Sequence, residues 1–96
     1  MRQVMVRYKV KPDQVERNET FMRAVYDELH ELGPAGFRYS TFKLDDGVSF
    51  VHIARGTSPL PGLEAFRRFQ EGIEERCDEP PVVREVTVVG SYEPES

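Results

Sequence analysis

Apolar residues occupy every second position near the start of the chain, at Val4, Val6, Tyr8 and Val10. That period predicts a strand with one apolar face, and Pro12 ends it. Asp13, followed three residues later by Glu16, predicts a helix that starts with a capping-box-like pair. Val15, Met22 and Leu29 then fall on one helical stripe, extended by Val25 and Leu32. Gly33 can take a left-handed cap and Pro34 blocks continuation, so the helix stops there. A helix this long in a small domain is expected to be the main cover of a sheet.

The period returns to two over residues 37–44 and 48–54, "FRYSTFKL" and "VSFVHIA". Between them, Asp46-Gly47 supplies the residues of a two-residue type I′ turn, whose central positions both need positive φ. In that register Asp45 faces Val48, Lys43 faces Phe50 and Thr41 faces His52, with Tyr39 next along the same face. A three-residue loop, Asp45-Asp46-Gly47, is the competing arrangement and would put His52 on the face of Phe42. The shorter loop is taken as the reading.

Residues 55–62, "RGTSPLPG", form a loop by composition. Leu63, Phe66, Phe69, Ile73 and Cys77 recur at three and four, predicting a second amphipathic helix, which Gly72 weakens by about 1 kcal/mol relative to alanine. "DEPP" closes that helix and Val82 to Val89 reads as a fourth strand. A single domain is expected over residues 1–92, with 93–96 as a frayed charged tail.

Strand, helix, strand, strand, helix, strand is the order of a ferredoxin-like α+β fold, with a four-stranded antiparallel sheet and both helices on one face. Two helices cover only one face. The hairpin strands, however, carry apolar groups on both: Tyr39, Phe50 and Ala54 on one side, Phe42, Leu44, Val51 and Ile53 on the other. A second copy packing its sheet on this one would cover the remainder, so a homodimer is expected.

Charge narrows the choice of partners. The 96 residues carry a formal net charge of −4, which argues against a nucleic-acid backbone or an anionic membrane. The fold order is shared with RNA-recognition domains, but "DGVSFVHI" lacks the basic residue and most of the stacking aromatics they use. No apolar run is long enough for a membrane helix. The single cysteine, Cys77, suits a reducing cytoplasm and is read as a small apolar residue on the inner stripe of the second helix.

The candidate chemistry lies on the strands. Tyr8, Tyr39, Thr41 and His52 place a few polar groups on an otherwise apolar surface, the usual make-up of a small-molecule site. His52 is the only strand residue whose ordinary pKa lies near neutrality, so it is the candidate catalytic group, able to take a phenolic proton. Tyr8, Tyr39, Thr41, Phe50 and Phe66 are the expected ligand-binding residues. The alternative is that these polar groups satisfy one another in a filled core. No spacing suits a metal and no phosphate-binding loop is present, so no cofactor is expected. His30 reads as a solvated helix residue.

Taken as a set, "VRYKVKPDQVERNETFMRAV", "GFRYSTFKLDDGVSFVHIA", "LEAFRRFQEGIEERC" and "VVREVTVVGSY" resemble the antibiotic-biosynthesis-monooxygenase-like group of dimeric α+β barrels. The likeness lies in layout and spacing over nearly the whole chain. It implies a homodimeric barrel that holds a small, often aromatic ligand, with cofactor-independent monooxygenase activity among the functions found in such proteins. A non-enzymatic structural or regulatory homodimer is the other reading. The tryptophan of haem-degrading relatives is absent from this chain.

Overall fold

The computed structural model describes residues 2–94; Met1 and the end of the expected tail, Glu95 and Ser96, lie outside the described residues. The chain forms β1 (Gln3–Val10), α1 (Val15–Leu32), β2 (Phe37–Lys43), β3 (Ser49–Gly56), α2 (Glu64–Gln70), α3 (Ile73–Arg76) and β4 (Cys77–Val86). The four strands make one antiparallel sheet in the order β2-β3-β1-β4. This is the ferredoxin-like α+β arrangement, with the helices packed on one face.

The helix-covered face is set by the register. Val6 and Thr41 flank His52, and Tyr8 and Lys43 flank Phe50. Tyr8, Val10 and Phe50 are buried there against Met22, Val25 and Leu29 of α1 and against Leu60, Leu63 and Phe69. Met5, Phe42, Val51, Ile53 and Val82 share the opposite face by the same register. Phe42 and Val82 are exposed there.

The start of α1 departs from expectation. Pro12–Gln14 form a 3-10 turn, the α-helix begins at Val15, and no side-chain capping bond is made. Proline suits this entry because its missing N–H would have no intrahelical partner. The apolar stripe ends sooner than expected, with Leu32 exposed in the last turn.

The hairpin keeps the expected register, Thr41 opposite His52 and Lys43 opposite Phe50, but not the expected turn. Gly47 alone has a positive φ, at 78°, whereas a type I′ turn needs one at Asp46 as well. The loop is wider: the Gly47 N–H donates to the Leu44 carbonyl and the Leu44 N–H to the Ser49 carbonyl. Asp46 is held by its own side chain, accepting from the N–H groups of Val48 and Ser49 and from the Ser49 hydroxyl at 2.6 Å. Those bonds offset what the I′ turn would have gained, and they pull the Asp46 pKa down to about 2.

The second helix is corrected more strongly. It ends at Gln70, a left-handed Gly72 (φ 69°) breaks it, and a single turn, α3, follows. Cys77 is not on a helix but opens β4, buried and paired with Val10. Arg76 accounts for the break. Its guanidinium donates to the carbonyls of Phe69 and Glu71, which the end of α2 leaves without partners, and it lies 4.7 Å from the centre of the Phe21 ring. Asp78 to Pro81 therefore lie within β4, which ends at Val86 and not at Val89. An edge strand whose register shifts beside Lys9 can hold two prolines, since neither must donate to a neighbour.

Candidate functional site

A cleft of about 440 Å³ opens between the helix-covered face of the sheet and the segment running from Ser58 through α2 into α3. Its walls are mostly apolar: Val4, Val6, Ala54, Leu60, Phe66, Phe69, Ile73, Pro81 and Val83. Tyr8, Tyr39 and His52 supply the inner polar groups, while the exposed Arg2, Ser58 and Gln70 lie toward solvent. This volume and this mix of lining are those of a small-molecule pocket.

His52 is the hub. The alternation of β3 turns it to the helix side between Val51 and Ile53, and it is only 2% exposed. Its Nε2 lies 2.7 Å from the Tyr8 hydroxyl of β1, and its Nδ1 lies 2.6 Å from the Tyr39 hydroxyl and 3.2 Å from the Thr41 hydroxyl of β2. Helix α1 closes the set from above: the Asn18 amide nitrogen donates to the Tyr8 oxygen at 2.9 Å, and the Tyr26 hydroxyl meets Thr41 Oγ1 at 2.9 Å. Asn18 and Tyr26 are eight positions apart, so both fall on the sheet-facing side of the helix.

Burial fixes the charge states. It drives the His52 pKa down to about 4, so the ring is neutral at pH 7. Burial also raises the Tyr8 phenol well above its ordinary range, against the opposing pull of the Asn18 hydrogen bond. Tyr39 is raised by burial and by its neighbours Tyr26 and Tyr8, with a hydrogen bond toward Thr41 working the other way. The site is therefore an uncharged chain of hydroxyls and one imidazole.

Of the residues expected from sequence to bind a ligand, Tyr8, Tyr39 and Phe66 line the cleft together with His52. Thr41 and Phe50 are not among its walls. Thr41 is taken up by His52 and Tyr26, and Phe50 is buried against Tyr8 with the ring centres 5.6 Å apart. Both ring nitrogens of His52 are already bonded, one of them to the Tyr39 hydroxyl, and Tyr39 also lines the cleft. Asn18 and Tyr26 escape the sequence reading. The signal for Asn18 is present nonetheless: it sits three residues after Val15 and four before Met22, a polar residue on the core stripe of α1.

His30 is exposed on α1. Among the described residues, no group of three or more His, Cys, Asp or Glu side chains is arranged to hold a metal ion. No helix among them is long and apolar enough to cross a membrane.

The same backbone recurs in solved structures. An antibiotic biosynthesis monooxygenase superimposes with a TM-score of 0.75 at 18% identity, covering 94% of this chain and 100% of the other. The fold is that of the antibiotic-biosynthesis-monooxygenase-like structures. A Mycobacterium tuberculosis protein, Rv0793, gives a TM-score of 0.73 at 17% identity, covering 96% of this chain and 98% of its own. A variant of SnoaB, a cofactor-independent oxygenase from Streptomyces nogalater, gives 0.66 at 14% identity, covering 94% of each chain. No family model matches the chain, and no curated protein matches its sequence.

Proposed function

We propose that this protein binds a small, flat aromatic molecule carrying an oxygen substituent, in the cleft between the sheet and α2. The observation that supports this is the bonded set Tyr8–His52–Tyr39 within an otherwise apolar cleft of about 440 Å³. Apolar walls supply affinity through burial, and the Tyr39 hydroxyl orients the ligand oxygen. A structural dimer with a filled core has no use for a cleft of this volume.

The working unit is a homodimer. Met5, Phe42, Val51, Ile53 and Val82 make an apolar centre on the outer sheet face, bordered by Arg7, Arg38, Arg55 and Arg84. Arginine stems extend such a surface while their heads stay hydrated. Each cleft lies on the other side of the sheet and is built from one protomer.

A second reading, cofactor-independent oxygenation, draws support from the likeness to SnoaB, described as such an oxygenase. A methylene between aromatic rings would pass to a carbonyl, with O2 taking its four electrons. One oxygen atom would stay in the product and the other would leave as water with both hydrogens. The Tyr39 hydroxyl would hold the substrate oxygen as negative charge develops on it. His52 is a weak base in this setting, with its pKa near 4 and both nitrogens engaged.

A thermal-shift series with 9-fluorenone, 2-naphthol and the non-aromatic cyclohexanone tests the binding reading. The two aromatics are expected to raise Tm saturably in the wild type and not in Ala54→Phe, which fills the cleft. An equal rise in the filled variant, or no rise with either aromatic, would contradict it.

A further inference from the structure

Asn18 is fully buried in the first turn of α1, on the core stripe where leucine would pack at no polar cost. Its amide nitrogen has one partner, the Tyr8 oxygen, and its Oδ1 has none. The opposite amide orientation would orphan the NH2 group, and buried N–H donors without partners are rarer in folded proteins than under-satisfied carbonyls. A donor therefore faces Tyr8.

That donor orders everything beyond it. A neutral imidazole carries one N–H and one bare nitrogen. With its oxygen receiving the Asn18 hydrogen, the Tyr8 hydroxyl has His52 Nε2 as the acceptor for its own hydrogen, at 2.7 Å. Nε2 is then the bare nitrogen and Nδ1 carries the hydrogen, which it gives to the Tyr39 oxygen at 2.6 Å. The reverse sense would leave the Tyr8 hydrogen buried with no acceptor. In the forward sense the Tyr39 hydrogen is the one left over, able to turn from Thr41 toward an oxygen on a bound molecule.

We infer that Asn18 is a positioning residue that sets the direction of the chain Asn18→Tyr8→His52→Tyr39, so that the cleft presents a hydrogen-bond donor and selects ligands by a carbonyl or other acceptor. Specificity of this kind is sharp, because a ligand that brings its own donor leaves two hydrogens opposed. The inference rests on the cleft being a ligand site, but its direct readout needs no ligand. With the ring neutral at pH 7, its tautomer is a single defined state of the folded protein.

The test is the ¹⁵N spectrum of the imidazoles in the ligand-free protein, with His30→Gln assigning the two histidines. Wild type is expected to show His52 with hydrogen on Nδ1 and a bare Nε2; hydrogen on Nε2 would overturn the inference. In Asn18→Asp the ionisation of the new carboxyl is read from its ¹³C shift. An ionised carboxylate can only accept, so the tautomer is expected to reverse; a protonated one can donate as the amide does, so the tautomer is expected to persist. The opposite result in either state would overturn the role of Asn18, and a loss of global packing alone would not move the tautomer this way. For selectivity, 9-fluorenone and carbazole are matched in shape, one offering only an acceptor and the other a donor. Wild type is expected to bind fluorenone at least tenfold more tightly, and the reverse order would overturn the inference. If neither binds, the ligand reading of the cleft fails and the tautomer alone decides.

Discussion

Tyr39 and His52 are diagonal, not directly opposed, on β2 and β3, yet the tyrosine makes the shorter bond to Nδ1: 2.6 Å against 3.2 Å for Thr41, which lies directly across. A long aromatic side chain can span the diagonal between strands. The shorter threonine makes the longer bond to Nδ1 and also meets Tyr26 on the helix. The closer hydroxyl on Nδ1 thus comes from the more distant neighbour, while Thr41 ties the sheet to α1.

Tyr39→Phe separates these roles. Thr41 remains as a partner for Nδ1, so the loss of stability is expected to stay near 1 kcal/mol, the scale of one net hydrogen bond. Affinity for 9-fluorenone is expected to fall about fivefold on the same scale. Urea unfolding and calorimetric titration of the one variant check both, and unchanged affinity would remove Tyr39 from the binding reading.

Stability is expected to fall in mild acid. His52 titrates near 4 when folded and near 6.5 as a free side chain, so between those values the unfolded chain binds more protons. The stabilisation from a neutral His52 is fully present above pH 6.5, declines as pH falls, and is exhausted near pH 4. Its full size is about 3 kcal/mol by that difference. The check is the urea midpoint from pH 7.5 to 4.5 in wild type and in His52→Gln; the variant should lose most of the slope. Parallel curves would assign the acid sensitivity to other groups.

The strand periods and the long stripe of α1 carry the fold openly, because each buries one face and repeats often enough to show its period. The register around His52 was legible for the same reason: a slip by one would turn Phe50 out of the core. The break at Gly72 was not, since Leu63, Phe66, Phe69 and Ile73 keep a helical period across it. What ends the helix is Arg76 reaching back to the carbonyls of Phe69 and Glu71, a contact no period announces. At the site, the aromatic and imidazole groups stood out by type, whereas Asn18 and Tyr26 gain their meaning from which strand residues α1 crosses.

Gly72→Ala tests that break. The added Cβ would have room, its nearest neighbour being Arg76 Nη1 at 3.9 Å, so the cost is the left-handed backbone alone. A loss of about 1–2 kcal/mol is expected in urea unfolding. A gain in stability would mean that α2 continues into α3 and that Arg76 does not hold the turn.

The outer face predicts its own variant. Light scattering at micromolar concentration is expected to give twice the chain mass for wild type. Ile53→Asp places a charge at the centre of the apolar patch without touching the cleft, and is expected to shift the mass toward that of one chain. A monomeric wild type would leave the outer face without the proposed partner.

Binding at the cleft is tested most directly by an amide ¹H–¹⁵N titration of the wild-type protein with 9-fluorenone. Saturable shifts are expected at Ala54, Phe66, Gln70 and Ile73, which border the cleft, together with movement of the His52 ring signals behind Tyr39. Shifts confined to Met5, Val51 and Ile53 on the outer face, or no saturable shift anywhere, would contradict the account.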